Sequence, residues 1–274
     1  MSSITVNKDK CGGDGKCAVV CPLQILKIDR VSRLPVMIEW GEKACIKCGH
    51  CVAVCPSGAL SLADMPAASC PTLRSDWRVG PERIEPFLKG RRSIRVYKDE
   101  AVEKQTIEKL IDIASYAPSG INRQPVCWAV LYDTQKVRQM AELTIEWMRS
   151  LVKSASPLAA ALHMENIIKA WDEGHDWICR GAPHLILTYS LKDDMTAPQA
   201  CTIALTYMEL AAASYGLGAC WAGYVHMAVN MSDDARRLAG LSKRTSCFGA
   251  MLIGHSKFDY HRIPLRNKPH ATWR

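Results

Sequence analysis

Between Cys11 and Pro56, seven cysteines fall into two blocks of matching length. The second block reads Cys45-IK-Cys48-GH-Cys51-VAV-Cys55-Pro56, and the first reads Cys11-GGDGK-Cys17-AVV-Cys21-Pro22. A complete C-x2-C-x2-C-x3-C-P run is the spacing that holds an iron–sulfur cluster, and the fourth cysteine of each of two such runs ligates the other cluster. The two blocks must therefore fold as one interleaved body. Crossing the ligands predicts one cluster on Cys21, Cys45, Cys48 and Cys51. The other takes Cys11, Cys17 and Cys55, with Asp14, which stands where the second cysteine would be, as candidate fourth ligand. A carboxylate is harder than a thiolate and holds iron less tightly, so this site is expected to be [4Fe–4S] or [3Fe–4S]. Zinc favours separate four-ligand sets rather than interleaved blocks. Disulfides need an oxidising compartment, and nothing like a secretory leader precedes Cys11.

The other six of the 13 cysteines, Cys70, Cys127, Cys179, Cys201, Cys220 and Cys247, show no ligand spacing and are expected to be buried thiols. At 274 residues and 48% hydrophobic, the chain suits a small domain plus a larger one with a sizeable core. No apolar run reaches transmembrane length. The expected setting is soluble, reduced and cytoplasmic, with no membrane partner. The formal charge is +8. Two thiolate-ligated clusters would lower it by about three, and a bound organic phosphate by about two more. The remaining excess is too small to argue for nucleic acid.

Along the chain, residues 3–9, Ile25–Ile28, Met37–Glu39 and Leu60–Leu62 read as short strands around the cysteine blocks. Val19, Val20, Ile25, Ile46, Val52 and Val54 are expected to screen the clusters from water. Residues 1–65 form the first domain and the Pro-, Ser- and Gly-rich residues 66–87 a linker, in which a helix starts near Pro81 and runs toward Gly90. Residues 88–274 form the second domain. There the reading gives helices near 103–116, 135–151, 155–180, 199–215 and 232–240. Strands follow at 126–132, His184–Tyr189 and Phe248–Gly254, the first of a kind found inside a sheet. The helix at 199–215 is apolar on nearly every side, as a central helix covered by a partner or a second layer would be. Gly216-LGACWA-Gly223 reads as a glycine-rich close-approach loop, and residues 257–274 carry no period. Helices alternating with apolar strands make an α+β domain, a mixed sheet surrounded by helices. Neither G-x-G-x-x-G after a first strand nor a P-loop is present.

A second constellation lies at Arg91-RSI-Arg95, three guanidiniums and a hydroxyl within five residues. Arginine gives charge-assisted, often bidentate bonds to phosphate; a solvated basic patch is the plainer alternative. Ser119, Asn122 and Gln124 add hydrogen-bonding groups at a helix end. Residues 1–65 resemble the bacterial two-cluster ferredoxins. Arg91-RSIRV-Tyr97, Ala117-PSGINRQ-Pro125, Gly216-LGACWA-Gly223, Ile253-Gly254 and Pro264-Leu265-Arg266 resemble the FMN-dependent nitroreductase family, in a branch with a fused amino-terminal ferredoxin domain.

That resemblance implies a homodimer with FMN at the subunit interface. It implies that Arg91, Arg92, Ser93 and Arg95 grip the flavin phosphate, ribityl and pyrimidine oxygens. Ser119, Asn122 and Gln124 would lie near the ring, Ala222 and Gly223 would offer a backbone donor toward N5, and Arg266 would reach the phosphate. Trp147, Trp171 and Trp177 fall where the family shapes its acceptor pocket. No catalytic side chain is implied. The expected activity is an oxidoreductase passing electrons between the clusters and FMN, reducing a small organic acceptor such as a nitroaromatic, quinone or activated alkene. Its donor would be NAD(P)H or a reduced ferredoxin-like carrier. Flavin-dependent oxidation with the clusters as electron exit, or a redox sensor without turnover, are the alternatives.

Overall fold

The computed structural model describes residues 4–274; Ser3, included in the first expected strand, lies outside the described residues. The chain divides into two compact units, Met1–Val79 with Ile121–Arg123, and Gly80–Gly120 with Gln124–Arg274.

The first unit runs β1 (Ile4–Val6), α1 (Lys16–Val19), β2 (Leu26–Ile28), β3 (Pro35–Met37), α2 (Gly41–Ala44), α3 (His50–Ala53) and β4 (Leu60–Leu62). Strand β1 pairs antiparallel with β4, Ile4 opposite Leu62, and β2 with β3, Leu26 opposite Met37. The pattern of the cysteine blocks repeats in the backbone. Gly15 and Gly49 each precede a four-residue helix with φ of 73° and 74°, a left-handed turn open to glycine without a Cβ clash. Each helix stops before a Cys-Pro pair, because the residue ahead of proline is pushed out of helical backbone. Ile4, Leu26, Val52, Leu60 and Leu62 form the small core. The second hairpin strand spans Pro35–Met37 rather than Met37–Glu39, with Pro35 as its first residue, a position where proline's missing donor is tolerated.

The second unit opens with α4 (Pro81–Gly90) and α5 (Lys104–Ala114), followed by β5 (Cys127–Leu131), α6 (Thr134–Lys153), α7 (Pro157–Ala161) and α8 (Met164–Asp172). Then come β6 (His184–Leu191), α9 (Ala197–Ser214), β7 (Leu217–Trp221), α10 (Gly223–Met231), α11 (Asp233–Leu238) and β8 (Thr245–His255). The four strands make one sheet in the order β5-β6-β8-β7, each pair antiparallel. Alternate residues feed two cores. Leu185, Leu187, Ala250 and Leu252 face a layer containing α6, α8, α10 and α11, while Ile186, Met251 and Ile253 face α5 and α9.

Two features differ from the sequence expectation. Strand β5 is an edge strand; it is apolar throughout because Trp128 and Val130 pack on one core and Ala129 on the other. Gly216–Gly223 is not a loop but mostly β7, whose glycine is a packing device: a Cβ on Gly218 would lie 2.5–2.6 Å from Ile94 side-chain atoms. Helix α9 is covered on one side within a single chain. Ala200, Cys201, Ala204, Leu205, Met208 and Ala212 are buried, whereas Thr202, Thr206 and Tyr207 are exposed.

Candidate functional site

The eight expected cluster ligands sort into two cavities of the first unit. Cys21, Cys45, Cys48 and Cys51 line one, together with Ile4, Ile25, Leu26, Ile46 and Leu62. Cys11, Asp14, Cys17 and Cys55 line the other, beside Gly12, Gly13, Ile28 and Pro56. Each cavity thus mixes residues of both blocks, the crossed arrangement that the spacing requires. Among the described residues no three His, Cys, Asp or Glu side chains converge as a single ion would need. The donors ring cavities, which suits a polynuclear group taking one protein donor per iron, four thiolates in one cavity and three thiolates with a carboxylate in the other. The apolar screen is uneven: Ile25 and Val52 are buried, but Val19 is 85% exposed and screens nothing.

The two sites differ electrostatically. Burial pushes the Cys51 thiol up to about 11, with Cys48 and Cys45 adding to the rise. Burial also raises Cys17, and nearby Cys11 and Cys55 add to it. At Cys55 burial acts upward, but the Ser57 hydroxyl and the Ala59, Leu60 and Ser57 backbone N–H groups outweigh it and leave the thiol below its usual value. The Ala59 N–H donates to Cys55 Sγ at 3.2 Å, the kind of bond that tunes cluster potential. Asp14 accepts from the Lys16 backbone N–H at 3.2 Å and pairs with its ammonium at 3.0 Å. These contacts hold its carboxyl below the usual range, so Asp14 offers an ionised oxygen donor.

Of the remaining cysteines, Cys179, Cys201, Cys220 and Cys247 are buried as expected; Cys70 is half-buried and Cys127 exposed, the latter at the start of an edge strand.

In the second unit, the arginine segment is clipped to the sheet. The Ile94 N–H donates to the Ala219 carbonyl at 2.9 Å, Lys98 N–H to His255, and Lys257 N–H to Val96. Tyr97 is buried with its hydroxyl donating to the Ile94 carbonyl at 2.7 Å. Arg91, Arg92, Ser93 and Arg95 therefore lie alongside β7, just ahead of Ala222 and Gly223. Ala222 is buried, its N–H donating to the Ala250 carbonyl at 2.8 Å, while Gly223 opens α10 and is exposed. Ser119 Oγ accepts from the Gln124 N–H at 2.9 Å, closing the loop before β5. Ile121, Asn122 and Gln124 in that loop all have positive φ (44°, 55° and 48°), which is strained for non-glycine residues and gathers at functional sites. The Asn122 amide donates within the first unit, to the carbonyls of Ile46 and Lys47 at 3.1 and 3.0 Å. Those carbonyls belong to the loop between Cys45 and Cys48. Arg266 is exposed in the irregular segment after β8.

Trp147 is a core residue of α6, Trp171 lines a cavity with Val137, Asp176 and Cys179, and Trp177 is half-exposed. Three further groups lie by the arginine segment. Glu209 is buried on α9 and takes the Arg91 guanidinium; Trp221 donates to the same carboxylate. Arg180 lies close enough to Tyr97 and Cys220 to act on both electrostatically, as Arg95 does. A lone carboxylate in an apolar helix was the available signal for Glu209, since such a group needs a partner.

Comparison with known proteins completes the picture. The nitroreductase family profile matches residues 88–255 and a 4Fe–4S dicluster profile matches residues 9–60. A Methanothermobacter thermautotrophicus protein, named as a candidate NADH dehydrogenase/NAD(P)H nitroreductase, is 26% identical over 184 residues, 67% of this chain and 83% of its own. The polyferredoxin MvhB of Methanothermus fervidus is 37% identical over 65 residues, 22% of this chain and 16% of its own. A nitroreductase from Bacteroides fragilis, solved with bound FMN, shares the fold with a TM-score of 0.56 at 19% identity, covering 70% of this chain and 99% of its own. With the family match spanning more than half its length, the chain belongs to the nitroreductase family and is an oxidoreductase carrying a 4Fe–4S dicluster domain ahead of the family domain.

Proposed function

We propose that this protein is an iron–sulfur flavoprotein in which electrons pass between the amino-terminal clusters and FMN and leave to a small organic acceptor, a nitroaromatic, quinone or activated alkene. The observation that carries this reading is the sorting of the eight donors into two crossed cavities, in a chain whose remainder is a nitroreductase. Cys21, Cys45, Cys48 and Cys51 would hold a [4Fe–4S] cluster. Cys11, Cys17, Cys55 and Asp14 would hold the second, as [4Fe–4S] or [3Fe–4S]. The domains in this reading are 1–65, a linker at 66–87, and 88–274.

FMN, when bound, supplies hydride transfer and can take electrons singly or in pairs. The chain's own residues bind and orient it. Arg91, Arg92, Ser93, Arg95 and Arg266 offer charge-assisted bonds to phosphate and polar edges. The donor chemistry fits an anionic group, and the backbone bond from Ile94 to Ala219 keeps the arginines beside the turn at Ala222 and Gly223. Ser119 and Gln124 carry the stronger case in their loop, because the Asn122 amide is spent on the Ile46 and Lys47 carbonyls. Strands β5 and β7 are opposite edges of the sheet, roughly 14 Å apart across three inter-strand spacings. The 119–124 segment and the 91–95 segment are therefore most simply combined when a second copy supplies one of them. The exposed Thr202, Thr206 and Tyr207 face of α9 suits a homodimer contact.

The donor is NAD(P)H, as in the name of the Methanothermobacter relative, or a reduced ferredoxin-like carrier, which the clusters favour. Anaerobic purification followed by iron, sulfide and flavin analysis tests the composition. The expected result is about one FMN and about seven to eight irons per chain. Asp14→Cys should make the second site resistant to iron loss on mild oxidation. Iron near one or two per chain without sulfide, or no flavin after reconstitution, contradicts the proposal.

A further inference from the structure

Helix α9 buries Ala, Cys, Leu and Met against the sheet, with one exception. Glu209 is a carboxylate whose side chain is 7% exposed. Its Oε1 accepts from Arg91 Nη1 at 2.8 Å and its Oε2 from Trp221 Nε1 at 3.2 Å. Both oxygens are used, and a buried carboxylate is retained only where such partners compensate its lost hydration. The two partners come from different stretches of chain. Arg91 opens the arginine segment, and Trp221 ends β7 directly before Ala222 and Gly223. The main-chain bond from Ile94 to Ala219 joins the same stretches a few residues away. Glu209 thus adds a side-chain bridge to a main-chain one, and neither segment can shift without stretching it.

We infer that Glu209 is a positioning residue for the flavin site, which fixes the Arg91 guanidinium and the Trp221 indole before the cofactor arrives. This rests on the flavin reading above. The bridge orients Arg91 by occupying one nitrogen and leaves the rest of its fork for an anionic ligand; five N–H donors in a rigid plane permit this. Preorganising the donors lowers the ordering cost that ligand binding would otherwise meet.

The test uses the full chain, freed of FMN and titrated with FMN under anaerobic conditions. Glu209→Gln keeps the shape but turns an amide N–H₂ toward a donor. It should raise the FMN Kd by about tenfold. In an Arg91→Ala background the same change should raise it by less than about threefold, because a residue acting through Arg91 has little left to position. A structural role alone would move the melting temperature without this dependence. The Trp221 indole N–H supplies a second readout without FMN: its solvent exchange should quicken in Glu209→Gln. Trp221→Phe, which removes one donor and leaves the Arg91 pair, should weaken FMN about threefold and keeps the question answerable if Glu209→Gln does not fold. A Kd within twofold of wild type in whichever of the two single variants folds overturns the inference, as does a Glu209→Gln effect of equal size with and without Arg91. Failure of wild-type protein to bind FMN would instead strike the flavin reading, with the indole exchange still reporting whether the bridge exists.

Discussion

His184 shows how much one side chain can bind together. It lies fully buried on β6 and stacks on Tyr132, with ring centroids 4.4 Å apart. The Val102 N–H donates to its Nε2 at 2.9 Å, so Nδ1 carries the proton and donates to the Tyr132 carbonyl at 2.7 Å. Burial holds its pKa below the ordinary 6.5, because the imidazolium would lose hydration, and His255 nearby disfavours a second positive charge. The sign follows from linkage. Below about 6.5 the unfolded chain takes up this proton more readily than the folded one, so the contribution of His184 falls as pH drops toward the folded value. His184→Gln can still accept from Val102 and donate to Tyr132. Denaturant midpoints measured between about pH 7.5 and 5 should then fall less steeply for the variant than for wild type; equal slopes would contradict this account. Asp14 is the opposite case, an ionised carboxylate on a short glycine-flanked turn, legible as a candidate ligand only because the seven cysteines of the two blocks keep their spacing.

Among the elements, β7 is the one the sequence hid. Its run Leu217-GACW carries a glycine at a position where glycine normally marks a turn, and the apolar stretch is only five residues long. The glycine is there for the neighbour: the Ile94 side chain fills the space that a Cβ would take. Gly218→Ala should push Ile94 and the arginine segment off the strand, costing about 1–3 kcal/mol of stability by overpacking. Chemical denaturation should show that loss, and FMN binding should weaken with it, whereas unchanged stability would mean the segment is not seated on β7. By contrast β4, β6, α4, α5 and α9 were legible. Strands β4 and β6 are apolar runs, α5 carries a helical apolar period, and Pro81 and Pro198 mark the starts of α4 and α9. Glu209 was legible only as a carboxylate in need of a partner, since nothing in an apolar helix announces which distant donors will meet it.

For the whole molecule, the candidate cluster sets come from ligand spacing, a covalent constraint, whereas the candidate flavin segments come only from likeness. Arginines at 91, 92 and 95 have many uses, and only folding puts them beside Ala219 and the turn at Ala222. Carrying both redox modules on one chain replaces a diffusional encounter with a tethered one, raising the effective concentration of each for the other. No described helix is long and apolar enough to cross a membrane. The most direct measurement is anaerobic stopped-flow reduction by a low-potential one-electron donor, with flavin and cluster absorbance followed together. The account predicts that flavin bleaches in step with cluster turnover in wild type, and that Cys48→Ser slows that bleaching at least tenfold while FMN content is unchanged. Cluster reduction that never alters the flavin, or flavin bleaching at the same rate in Cys48→Ser, would contradict it.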